Sequence, residues 1–158
     1  MSAVTLPGTG SNVATSTVAS EVYQRVRTFH QDVTANVWTA SHVPAANTTA
    51  TITKAAAGAG TKNVCTALTV KLVAGATAPT AINVSVSLID GAAGGTTYLW
   101  RATMSLPATA GADNGIALSN LWIPGTANTA MTLEFSATGG ANTLESVTMS
   151  GTTVGTES

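Results

Sequence analysis

Few side chains in this sequence have the types and spacing that chemistry needs. The histidines are His30 and His42, and the only thiol is Cys65. Nucleophilic catalysis requires a base beside an activated nucleophile, and no G-x-S-x-G elbow accompanies the two imidazoles. Metal binding requires a cluster of ligands, and two histidines twelve residues apart with scattered carboxylates do not form one. Asp90 and Asp113 each stand beside turn residues, one acid per turn, where a calcium loop would alternate several. Glu134 and Glu145 are the one pair that neighbouring strands could bring together, as the two carboxylates of a polysaccharide-cleaving site; as ordinary strand residues they would face solvent. Neither G-x-G-x-x-G nor a P-loop occurs, and Gly91, Gly94 and Gly95 fall between strand-like runs, without a helix N-terminus to hold phosphate. The reading is therefore of a protein that is not an enzyme and takes no cofactor, metal or small-molecule substrate.

The composition points the same way. Charged residues make up 8% of the 158 residues, against roughly 25% in ordinary domains. With 28 alanines and 29 threonines, the surface must be coated mainly by small neutral groups. A net charge of −1 and six dispersed basic residues offer nothing to a phosphate backbone or an anionic bilayer, so neither nucleic acid nor membrane is an expected partner. No cationic, apolar leader and no long apolar span is present, which predicts a soluble chain made in the cytoplasm. A surface poor in charge is poorly guarded against self-association, so its sheet edges are expected to be covered by other chains. A lone cysteine permits no intrachain disulfide, and Cys65 is expected to be a small buried residue of a strand.

The elements that position these residues are strands. Residues 1–33 are set apart as an N-terminal arm or docking segment: 1–17 are small and polar, and 18–33 carry Val18, Val22, Val26 and Phe29 with either a helical or an extended spacing. From residue 36 the period is two. Val64, Leu68, Val70 and Leu72 are expected on one face, as are Ile82, Val84, Val86 and Leu88; Tyr98, Trp100, Ala102, Met104 and Leu106; and Met131, Leu133 and Phe135. In "GIALSNLWI" the apolar parity changes between Leu118 and Leu121, which predicts a bulge or kink near Ser119–Asn120. "DGAAGG", "PATAGADNG" and "ATGGAN" punctuate the runs, and Pro124-Gly125 is expected to occupy the centre of a type II turn. The expected fold is all-β: an antiparallel β-sandwich, jelly-roll-like, of about seven or eight strands over residues 34–158, preceded by an extended arm.

Aromatic and basic residues remain as candidates for contact with a partner. Trp122 has the opposite parity to Leu121 and Ile123 and is expected to face outward, the type and placement of an interface anchor. Tyr23, Arg25, Arg27 and Phe29 of the arm are the other expected interface residues. Trp38 and Trp122 are also the candidate platforms for a stacked sugar, although acids and arginines to flank such a ring are sparse.

At "LWRATMSLPATAG" (99–111), "LSNLWIPGTANTAMTLEFSATGG" (118–140) and the closing "VTMSGTTVG", the sequence resembles small β-sandwich virion proteins of tailed bacteriophages. The resemblance covers residues 60–155 and rests on turn and strand patterns. It implies a structural protein of the virion: first a decoration, or cement, protein on the capsid surface, binding the lattice of the major capsid protein and copies of itself, commonly as homotrimers. The alternatives are a tail, adaptor or fibre component, or a glycan-binding host-attachment module.

Overall fold

The computed structural model describes residues 36–156, and the arm with Tyr23, Arg25, Arg27 and Phe29 lies outside them. Nine strands follow one another: β1 (Val37–His42), β2 (Thr51–Lys54), β3 (Thr61–Ala74), β4 (Ile82–Asp90), β5 (Tyr98–Leu106), β6 (Asp113–Leu118), β7 (Ile123–Pro124), β8 (Met131–Phe135) and β9 (Thr143–Gly155). All pairings are antiparallel. One sheet has the order β1-β9-β3-β6, with the short β7 also on β3; the other has the order β2-β8-β4-β5. The two sheets pack as a β-sandwich, as the alternation predicts.

The core is formed where the inward parities of both sheets meet. Leu68, Val70, Leu72, Val147 and Met149 from the first sheet pack with Val84, Val86, Leu88, Met104, Leu106, Met131, Leu133 and Phe135 from the second. Each fully buried side chain of this size contributes about 1.5–3 kcal/mol of transfer free energy. That matters here because alanine, the commonest apolar residue, supplies little.

The short strand β7 arises from the predicted kink. The chain leaves the edge of β3 after Leu118, Asn120 adopts a left-handed φ of 56°, and pairing resumes at Ile123 opposite Cys65. A second irregularity faces it. The register between β3 and β9 shifts between Cys65 and Ala67, and the carbonyl of the displaced Thr66 accepts the Leu121 N–H at 2.9 Å. This bulge corrects one expected face. Parity reverses across Thr66, so Cys65 joins the core cluster, while Val64 pairs with Thr152 and Pro124 away from it. A similar shift between Leu88 and Ile89 opposite β5 leaves Tyr98 46% exposed instead of inward with Trp100.

Pro124-Gly125 is not a type II turn. Pro124 is paired in β7, the Gly125 N–H donates to the Asn63 carbonyl, and Gly125 lacks the positive φ that the second central position of such a turn requires. The reversal is made three residues later by Asn128, with φ 52° and its N–H on the Thr61 carbonyl.

Candidate functional site

The groups that could do chemistry are dispersed, and most of them hold loops. Asp90, at the end of β4, accepts hydrogen bonds from the backbone N–H and the hydroxyl of Thr126. Glu134 on β8 accepts the Gly94 N–H at 3.0 Å and so fixes the β4–β5 turn. Glu145 is only 2% exposed and points from β9 into the sandwich, where Oε2 accepts the Ala50 N–H at 2.7 Å. The carbonyl of Ala50 in turn accepts the Phe135 N–H on β8, so the Glu145 carboxylate clamps the β1–β2 connection between the two sheets. Burial pushes the Glu145 carboxyl above its usual range, opposed by the backbone N–H groups of Ala50 and Gly139. The expectation that Glu145 faces solvent is thereby corrected. Glu134 and Glu145 also belong to different sheets, so they do not form a carboxylate pair.

The remaining titratable residues are similarly placed. His42, at the end of β1, is half-buried, and its Nδ1 accepts the Thr51 N–H at 3.1 Å. His30 lies outside the described residues. Cys65 is fully buried, as expected, with Sγ directed at the Ala67 carbonyl, and burial raises its thiol pKa. Among the described residues no three of His, Cys, Asp and Glu come together as a metal-binding group, and no helix is long and apolar enough to cross a membrane.

The tryptophans divide by environment. Trp100 packs against the core. Trp38 does too, which removes it as a sugar platform: its ring lies over Gly151, where an added Cβ would stand 2.7 Å from Cη2 and closer still to Cζ2. Among the described residues its buried Nε1 has no hydrogen-bond partner, and the Lys54 ammonium sits 5.7 Å from the ring centroid, at the outer limit of cation–π range. Trp122 is the reverse case. Leu121 and Ile123 both pack against the core, and the kink at Asn120 holds the ring between them outward, 65% exposed. Of the candidate interface residues it is the one within the described part of the chain.

Other exposed apolar side chains escape a reading by parity: Val37 at 56%, Val43 at 70%, Leu144 at 40% and Tyr98, whose ring is capped by Arg101 at 4.8 Å from its centroid. Val43 carried a readable signal, since the residue before a proline is held extended and ends a strand. Around these groups the outer faces are made largely of Thr, Ser, Ala and Gly, as in the rung Ser41–Thr148–Thr69–Ala117 across the first sheet. The arrangement suits contact with another surface by shape and hydrogen bonding. No family model matches the sequence, and no curated protein matches it.

Proposed function

We propose that the chain is a non-enzymatic structural protein of a bacteriophage virion, acting as a decoration protein that binds the assembled capsid lattice and stabilises it. The observation that carries this reading is the coincidence of a charge-poor, hydroxyl-coated β-sandwich with an outward tryptophan held by a specific kink. A buried Trp anchor surrounded by small residues that exclude water is the usual energetic centre of a protein interface. Three of the four carboxylates within residues 36–156, Asp90, Glu134 and Glu145, are engaged in holding backbone N–H groups, which supports a scaffold role. The major capsid protein and further copies of the chain, as trimers, are the partners this reading assigns, with the virion surface as its location. A protein that binds only the assembled lattice stabilises it by mass action. The test is to heat heads lacking the chain, with and without added purified protein. DNA release at a higher temperature on addition supports the proposal; identical release curves with saturating protein count against it.

A second reading, a glycan-binding module for host attachment, is favoured by the exposed Trp122 ring alone. Binding to a glycan array that is lost in Trp122→Ala would support it, and an array with no binding would exclude it.

A further inference from the structure

A sandwich of two open sheets has four edge strands, and each open edge is a row of unpaired N–H and C=O groups that must be guarded. Three of the four edges here carry a guard. β2 has only four residues and ends in Lys54. β5 carries Arg101 and a bulge at Leu99, and its Ser105 carbonyl is capped by Asn114 Nδ2 at 2.9 Å. The β6–β7 edge starts with Asp113, breaks at Asn120 and ends in Pro124. The fourth edge, β1, pairs with β9 in unbroken register over all six residues and contains no Asp, Glu, Lys, Arg, Pro or bulge. Among the described residues no strand pairs with its other side.

The residues of this edge read nearly the same in both directions: Val37-Trp38-Thr39-Ala40-Ser41-His42-Val43. Val43 follows the last paired residue of β1, and Pro44 holds its backbone out of the helical region. Val37, Thr39 and Ser41 are exposed on the outer face, whereas Trp38, Ala40 and His42 are half-buried toward the core. Antiparallel pairing with the same strand of another molecule, centred on Ala40, would set Val37 against Val43, Trp38 against His42 and Thr39 against Ser41. Every pair then joins side chains of one kind: aliphatic, aromatic ring and hydroxyl. The valines at the two ends are 56% and 70% exposed in the single chain, and this pairing covers both.

We infer that the β1 edge is a two-fold interface, in which residues 37–43 pair antiparallel with residues 37–43 of a second copy and join two sheets into one. A two-fold contact uses the same patch on both molecules and closes on itself. One unguarded edge per chain therefore yields a pair and not a fibre. This contact stands independently of the virion proposal, and it leaves the trimer of that proposal to other surfaces.

The register supplies the test, carried out on the full chain. The mass of the purified protein is measured by light scattering and sedimentation over a concentration series. The wild type is expected to double the mass of its smallest species as concentration rises. Val37→Lys/Val43→Lys places like charges opposite each other at both ends and should weaken that doubling by about tenfold or more. Val37→Lys/Val43→Glu places opposite charges at the same two points and should restore it. Both valines are exposed, so circular dichroism and melting should confirm that each variant folds. Thr39→Cys/Ser41→Cys should give a reducible covalent dimer on mild oxidation. A wild type that shows no such doubling overturns the inference, and so does doubling that the two lysines leave unchanged. If the Lys/Glu variant fails to recover, the proposed register is wrong.

Discussion

Replacing Gly151 by alanine should be among the most damaging single-methyl additions to this sandwich. Gly151 lies at the crossing of three strands: it pairs with Trp38 on β1 and with Cys65 on β3, beside the Thr66 bulge. Its φ is not in the left-handed region, so backbone strain is not the issue. The issue is space. An added Cβ would stand 2.7 Å from Trp38 Cη2, and nearer still to Cζ2 and to the Val64 carbonyl oxygen. Ordinary carbon contacts begin near 3.5 Å, about 1 Å or more beyond what is available. The tryptophan ring could swing away, but the carbonyl is backbone in a paired strand and yields only if β3 or β9 shifts. Overpacking with a backbone shift costs about 1–3 kcal/mol, and displacement of a packed Trp adds part of the roughly 3–5 kcal/mol that loss of such a side chain carries. We expect a loss of about 3 kcal/mol, read as a fall in Tm of about 10–15 °C for a domain of this size. Calorimetry and urea unfolding followed by Trp fluorescence measure it. Gly155→Ala is the control: none of the described residues lies within 4 Å of its added Cβ and its φ is ordinary, so stability should hold or rise slightly. A Gly151→Ala protein that melts within about 2 °C of wild type would refute the packing argument, since even one excess methylene in a tight core costs more than that.

Other outcomes follow from the polar clamps and from Trp122. Because burial raises the Glu145 pKa, the folded state binds more protons than the unfolded state between the unfolded and folded pKa values. Its contribution to stability is thus fully present below the ordinary glutamate range and is lost as pH rises through the folded value. Glu145→Gln, which keeps an acceptor for Ala50, should flatten this dependence in urea titrations across pH; an unchanged slope would contradict the assignment. Asp90→Ala removes the acceptor of an exposed Thr126 N–H that water can then reach, and should cost about 0.5–1.5 kcal/mol, with faster amide exchange at Thr126 and Gly125 by NMR. Trp122→Ala should leave the melting temperature within about 2 °C of wild type, since the ring is 65% exposed, yet weaken attachment to heads by about tenfold or more if the ring is an interface anchor.

Much of the architecture was legible because alternation survives in β4, β5 and β8, where one parity is mainly bulky and apolar and the other mainly polar. The kink at Ser119–Asn120 was legible for the same reason: a parity switch between Leu118 and Leu121 has to be absorbed somewhere, and Asn120 absorbs it. The matching bulge at Thr66 was hidden, because Val64, Cys65, Ala67 and Leu68 give apolar residues of both parities and fit either register. Glu145 was misread for a different reason. Its neighbour Leu144 looks like the buried residue of the pair, yet Leu144 is 40% exposed and the carboxylate goes in. What decides this is an N–H delivered by Ala50 from 95 positions away, which no local pattern reports. Pro124-Gly125 misled in the same manner: turn propensity lost to long-range bonds at Asn63 and Asp90, and the small residue serves close packing, with a Cβ at Gly125 only 3.0 Å from Asp90 Oδ1. At the candidate site the outward parity of Trp122 was readable, whereas the exposure of Tyr98 depended on the unseen shift beside Leu88.

Under the proposed function this sandwich coats an assembled protein lattice. Electron cryomicroscopy of virions that carry the chain tests that most directly, by locating and counting its density. Many symmetry-related copies seated on the outside of the head, with Trp122 buried against a neighbouring chain, is the predicted result. Copies confined to the tail, or virions without the chain, would contradict it.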